Sequence, residues 1–263
     1  VIKPYYEDEA VTIYHADCLD VLPSLSDIHL TVTSPPYDDI RTYEGYEFDW
    51  RKTMRGLSEV TAKGGVVVWN VADQTINGSE TGTSFRQALY MMDECRMYLH
   101  DTMIYMKTGV TFPDANRYLP AFEYMFVFSK GKPNVFNGLK DRQNVSAGSD
   151  IHSTDRNRDG SMSLKSRQGA IIPEYGLRYN WWYISNPYRR GDPDHPARMP
   201  YKMAADHIAT WSKKGDTVLD PLAGSGTVLR AAKDLGRKAI GIEIEEKYCE
   251  IAANRMSQMV MAL

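Results

Sequence analysis

Two short stretches hold the residue types best suited to chemistry, and they lie far apart in a chain of 263 residues. The first is Ser34-Pro35-Pro36-Tyr37, delivered by the apolar run from His29 to Thr33. Two consecutive prolines fix φ and cannot donate backbone hydrogen bonds, so the turn is stiff and the carbonyls of Ser34 and Pro35 are left as acceptors. Tyr37 adds a flat face beside them. Acceptors next to a stacking ring suit a planar group carrying an NH2, such as the exocyclic amine of a nucleobase. The plainer alternative is a Pro-Pro turn with a packed tyrosine.

The second stretch is Asp220-Pro221-Leu222-Ala223-Gly224-Ser225-Gly226-Thr227, a glycine-rich turn between the short strand 216–220 and a helix over 228–235. A further strand over 238–244 carries Glu243. A β-loop-α-β unit with an acid near the end of its second strand is how open sheets bind a ribose-containing cofactor, the glycines letting the backbone approach the ligand. Glu243 is placed to accept hydrogen bonds from ribose hydroxyls, as in an adenosine moiety. A lone GxG also suits a nicotinamide enzyme. The turn lacks the full GxGxxG and the P-loop pattern, which argues against pyrophosphate and triphosphate ligands, and Asp220 favours a cationic or hydroxylated one. S-adenosylmethionine meets both conditions and has no phosphate.

The elements that must position these residues alternate as in an open α/β sheet. Val11 to Asp17 alternates like a strand and leads into a helical spacing over Cys18 to Leu25, so Asp17 sits at a strand's carboxyl end, where it also suits an N-cap. After Tyr37, the polar, tyrosine-rich stretch 38–46 is of the sort that closes over a substrate, or equally a solvated connection. A helix is predicted over Phe48 to Thr61, stopped by Lys63-Gly64-Gly65, and a buried strand over Val66 to Asn70. A helix over Thr83 to Tyr98, a strand over His100 to Met106 and a strongly apolar strand over Ala121 to Gly131 follow. From Asn137 to Gly169, Lys140, Arg142, Arg156, Arg158, Lys165 and Arg167 stand among Ser, Asn, Gly and Asp with almost no large apolar residues. Such a segment supplies little core; it suits phosphate contact and base-edge readout, or a plain solvated loop. Tyr175 to Tyr188 returns to a packed aromatic strand, and Tyr201 to Trp211 has helical period, ended by Lys213-Lys214-Gly215.

Composition sets outer limits. Hydrophobic residues are 43% and charged residues 25%, ordinary for a globular protein, and no apolar run approaches a membrane span. No signal-peptide pattern is read, and a cytoplasmic location is expected. Cys18, Cys95 and Cys249 form no CxxC pair, which argues against a zinc site or a disulfide scaffold, so no metal is expected. The net charge of −3 counts mildly against a nucleic-acid partner but does not report on a local patch.

Taken together, Thr33-Ser34-Pro35-Pro36-Tyr37 and Asp220 to Thr227 resemble the catalytic and cofactor motifs of the amino-methylating DNA methyltransferases, which modify N4 of cytosine or N6 of adenine. The catalytic motif precedes the glycine motif with the basic segment between, an order similar to the permuted β class of that family. The resemblance runs from about Val11 to the C-terminal helix and is weakest in the basic segment. It implies a Rossmann-like, S-adenosylmethionine-dependent open sheet with helices on both faces. The chain would divide into a catalytic half over 1–136, a target-recognition insert over 137–180 and a cofactor-binding half over 181–263. It also implies that Asp220, Pro221, Leu222, Ala223, Gly224, Ser225, Gly226 and Thr227 form the methionine-binding loop, that Glu243 accepts the ribose, and that Asp17 lies near the adenine ring. His195-Pro196-Ala197, followed by Pro200 and a helix, resembles the element that shapes the cofactor pocket. A lone His195 has structural or capping use as its plainer reading. Where the family usually has Pro-Glu-Lys, this chain has Pro200-Tyr201-Lys202. Gly64-Gly65 with the strand to Asn70, and Phe122 to Lys130, look like later sheet motifs.

The chemistry implied is methyl transfer to an exocyclic amine whose lone pair is delocalised into the ring. Accepting its protons through the Ser34 side chain and the Pro35 carbonyl brings that lone pair toward the methyl group. Pro36 stiffens the turn, and Tyr37 is the surface for a base flipped from a duplex. Methylation at cytosine C5 needs a cysteine nucleophile, typically after proline, and none of the three cysteines follows proline. Serine at position 34 resembles the form common in N4-cytosine enzymes, whereas adenine enzymes more often carry Asp or Asn; cytosine is preferred, with adenine the alternative. The DNA contacts would come from Arg142, Arg156, Arg158, Lys165 and Arg167. Expected partners are double-stranded DNA and, as an option, a second copy in a homodimer, in a bacterial, archaeal or phage setting; the sequence names no DNA site and no restriction endonuclease. A small molecule or RNA as substrate, and a non-catalytic nucleic-acid-binding module keeping the fold, are the competing readings.

Overall fold

The computed structural model describes residues 2–36, 48–107, 116–151, 154–164, 169–185 and 199–258. It forms two compact units, one from Val1–Asn137 with Asn180–Leu263 and the other from Gly138–Tyr179.

The larger unit is built on one sheet of nine strands: β1 (Tyr6–Glu7), β2 (Val11–His15), β3 (Ile28–Thr33), β4 (Thr61–Val71), β5 (Tyr98–Met106), β6 (Phe122–Ser129), β7 (Trp181–Tyr183), β8 (Thr217–Asp220) and β9 (Lys238–Glu243). In space they run β1-β2-β9-β8-β3-β4-β6-β5-β7. The five from β2 to β4 are mutually parallel, and β6 is antiparallel to β4. Helices are α1 (Cys18–Val21), α2 (Trp50–Val60), α3 (Thr83–Asp93), α4 (Tyr201–Trp211), α5 (Thr227–Asp234) and α6 (Glu246–Ser257).

Val66, Val67, Val68 and Trp69 are all buried, because β4 is central and covered on both sides. Met54 and Leu57 of α2 and Met91 of α3 pack on one face with Val67 and Trp69. Ile208 of α4, Leu229 of α5 and Ala252 of α6 pack on the other with Val66 and Val68. From β3 the chain passes through α2 to β4 on one side, and from β8 through α5 to β9 on the other. The chain therefore leaves the paired neighbours β8 and β3 toward opposite faces, and their carboxyl ends open the crevice in which open α/β sheets bind ligands.

Several boundaries differ from the sequence expectations. The helix after Asp17 stops at Val21 and tightens into a 3-10 turn over Leu22–Ser24, where Pro23 has no N–H to continue an α-helix. Lys63-Gly64-Gly65 does not separate α2 from a strand; β4 begins at Thr61 and runs through the glycines, Gly64 taking φ of 76° and donating to the Lys130 carbonyl at 2.7 Å. The helix from Thr83 ends at Asp93, since Arg96 turns the chain back at φ of 57° and Tyr98 already belongs to β5. Tyr175 does not share a strand with Trp181: Tyr175–Gly176 pairs with Arg142–Gln143 in the smaller unit, and only Trp181–Tyr183 joins the main sheet.

The smaller unit has no large buried side chain among its described residues. Besides the pairing of Arg142–Gln143 with Tyr175–Gly176, it holds an antiparallel hairpin of Thr154–Arg156 with Met162–Leu164.

Candidate active site

The glycine turn is a consequence of its residue types. Gly224 and Gly226 take φ of 49° and 77°, and a Cβ on Gly226 would stand 2.9 Å from that of Ala252 in α6. Only glycine lets the turn pass so close to α6 while entering α5 from a left-handed cap. The Gly224 N–H donates to the Glu243 carboxylate at 2.7 Å, and the Glu245 N–H donates to its other oxygen at 3.0 Å. Burial raises the Glu243 carboxyl above its ordinary range, against the lowering by these backbone donors. Each carboxylate oxygen keeps a second lone pair for a further donor.

Asp220, 5% exposed, accepts from the Thr33 hydroxyl at 2.8 Å and from the Leu222 N–H at 3.2 Å. Burial pushes its carboxyl up to about 7. The bond from Thr33 joins the cofactor-side strand β8 to the residue just before Ser34. Ser225 in the same turn is buried, and its hydroxyl oxygen has no hydrogen-bond partner among the described residues. Two acidic groups and an orphaned buried hydroxyl around a glycine turn fit a ligand that is cationic and rich in hydrogen-bonding groups.

Asp17, Ser34 and Glu243 stand at carboxyl ends of parallel strands on this edge, following or ending β2, β3 and β9. Asp17 is exposed and caps α1 through the Leu19 N–H at 2.8 Å, the capping use that its residue type suggests. Pro35 is buried, and Ser34 and Pro36 are half-buried. Tyr37, the stretch 38–46, Lys165, Arg167, His195 and Pro196 lie outside the described residues.

Behind Ser34 runs a polar row to which the sequence reading gave no role. Leu30 and Val32, Val66 and Val68, Met125 and Val127, and Met103 and Tyr105 line one apolar face, and the same alternation places Ser34, Asn70, Glu123 and Lys107 along its edge. The Asn70 amide donates to the Ser34 Oγ at 3.4 Å and to the Glu123 carboxylate at 2.6 Å, and Lys107 pairs with Glu123 at 2.9 Å. The available signal was Asn70 itself, a polar residue closing an apolar run.

In the smaller unit, Arg156 and Arg158 are exposed on the strand and turn of the hairpin. Arg142 is committed to its own unit: its Nε donates to the Leu177 carbonyl at 2.9 Å, and its guanidinium lies over the Tyr179 ring at 4.8 Å. Among the described residues no group of His, Cys, Asp and Glu could hold a metal ion, and no helix is long and apolar enough to cross a membrane.

Comparison with known proteins adds three findings. Residues 28–254 match the model of a family described as DNA methylase. The orphan methyltransferase M.BamHII of Bacillus amyloliquefaciens is 48% identical over 241 residues, covering 89% of this chain and 90% of that protein. The structure of PvuII DNA methyltransferase (cytosine-N4-specific) superposes with a TM-score of 0.69 at 21% identity over 99% of this chain and 91% of that one, a likeness of fold. The matched span takes in both Ser34-Pro35-Pro36 and the Asp220–Glu243 edge that the sheet brings side by side, and the chain belongs to the DNA methylase family.

Proposed function

We propose that the chain methylates the exocyclic N4 amine of a cytosine flipped out of double-stranded DNA, with S-adenosylmethionine as methyl donor. The observation that carries this reading is the buried hydrogen bond between Thr33 and Asp220, which holds the Ser34 turn against the glycine turn at the switch point of the sheet. The solved structure of M1.HpyAVI is a complex with SAM, and its fold matches with a TM-score of 0.66. The cofactor would lie along Asp220 to Thr227 and Glu243, with Asp17 at its far end, and supplies an activated methyl group.

The chain's own residues then do three things. Glu243 and Asp220 offer acceptors to hydroxyl and ammonium groups. The Ser34 hydroxyl and the Pro35 carbonyl accept hydrogen bonds from the N–H groups of the amine, drawing its lone pair out of the ring toward the methyl group. The unit Gly138–Tyr179 contacts DNA through Arg156 and Arg158, supporting the extrusion of the base. Ser34 in place of Asp or Asn, together with the fold likeness to a cytosine-N4-specific enzyme, favours cytosine over the adenine N6 alternative. Mass spectrometry of nucleosides from duplex DNA incubated with the protein and cofactor tests the reading: N4-methylcytosine is expected, N6-methyladenine would move the reading to the alternative, and no methylated nucleoside would remove it.

A further inference from the structure

We infer that Glu123, acting through Asn70, is a positioning residue that sets which way the Ser34 hydroxyl faces. This rests on the methyl-transfer reading and goes beyond it, because Glu123 is on β6, two strands away from the catalytic turn. A carboxylate accepts hydrogen bonds and donates none, so the side of the Asn70 amide facing Glu123 at 2.6 Å is its NH2 group. That group has two hydrogens, and the second is the one directed at Ser34 Oγ at 3.4 Å. An Oγ that accepts from Asn70 turns its own hydrogen away from Asn70. With the amide reversed, Ser34 would instead donate to the Asn70 carbonyl oxygen.

Lys107 bonds the other oxygen of the Glu123 carboxylate, its Nζ 2.9 Å away on the side opposite Asn70. The carboxylate is only 12% exposed, so water competes little for its lone pairs. The order Lys107, Glu123, Asn70, Ser34 therefore has a single polarity, donor to acceptor to donor to acceptor, fixed at one end by a cation.

The test compares three full-length variants by steady-state kinetics on duplex DNA, with cofactor binding and thermal unfolding as controls. Glu123→Gln can donate as well as accept, so the amide loses its fixed direction; kcat is expected to fall by up to roughly a hundredfold, the scale set by small misplacements of reacting groups. KM for DNA and cofactor affinity are expected to stay within about twofold, as those contacts are untouched. Asn70→Leu cuts the link while keeping the ion pair and is expected to match Glu123→Gln, which preserves the test if the latter does not fold. Lys107→Met leaves an acceptor facing Asn70 and is expected to lose less than either. Equal losses in Glu123→Gln and Lys107→Met that follow the loss of thermal stability would mark a structural ion pair and overturn the inference, as would unchanged kcat in Glu123→Gln and Asn70→Leu. Failure of the wild-type protein to methylate DNA would remove the functional reading first, and the inference with it.

Discussion

Around Asp220 the polar groups are held by the protein itself: one buried carboxylate takes bonds from Thr33 and Leu222, and Glu243 takes two backbone N–H groups. Gly138–Tyr179 has internal polar bonds too, such as Arg178 to Asp141, but only short ladders of two and three pairs, and it leaves the guanidinium groups of Arg156 and Arg158 exposed. The sheet edge is organised for one geometry. The smaller unit presents charge without a core behind it, as expected where the partner is a polyanion whose contacts are many and individually weak. On the proposed reading, affinity for DNA and capacity for chemistry lie in different parts of the chain, and substitutions are expected to sort between them.

The sharpest way to break that separation is Ser34→Ala. Removing an acceptor made for the transition state is expected to lower turnover by about 10²–10³-fold while leaving cofactor and DNA affinities close to wild type; a loss confined to KM would return Ser34 to a packing role. Asp220→Asn sharpens the same side through pH. The folded-state carboxyl, at about 7, lies above its unfolded value, so its contribution to stability is full at low pH and is lost as pH rises through the folded value. Between about pH 4 and 7 the ligand-free wild type is therefore expected to lose stability relative to Asp220→Asn, each unit being worth about 1.4 kcal/mol. Denaturant midpoints of the pair across that range are the measurement. Gly226→Val comes next. It forces a branched side chain to φ of 77° against Ala252, and a loss of about 1–3 kcal/mol in unfolding free energy, together with weakened cofactor binding, is expected. The smallest effects belong to Arg156→Ala and Arg158→Ala. Each is expected to weaken DNA binding by about 1 kcal/mol or less and to reduce the salt slope by about one charge, with thermal unfolding and cofactor affinity unchanged. If either altered cofactor affinity, the two regions would not be independent.

How much of this was legible beforehand depends on whether the cause is local. Ser34-Pro35-Pro36 and Asp220 to Thr227 could be read because proline lacks a donor and glycine tolerates positive φ wherever they occur. Helix α4 was read at both ends, since Pro200 precedes it and Lys213-Lys214-Gly215 follows. The end of α3 was not, because Arg96 adopts a left-handed conformation that an arginine does not announce. Asn70 and Glu123 were missed for a different reason: they meet across 53 positions of sequence, and the meeting depends on the register of β4 against β6. The same limit hid the bond between Thr33 and Asp220. Periodicity tells which face a side chain takes, but only pairing tells what stands beside it.

That bond spans 187 positions, and its length along the chain has a consequence for how the molecule is made. At ribosomal rates, β3 emerges roughly ten to forty seconds before the strand that will lie beside it. During that interval β4 can already pair with one flank of β3, while the other flank waits as an open edge of the kind that invites association with neighbouring chains. A chain ended early by a nonsense codon would carry the Ser34 turn without Asp220 and Glu243. Such a product would be an inert fragment with a sticky border, so truncations ahead of Asp220 are expected to register as insolubility before they register as lost methylation.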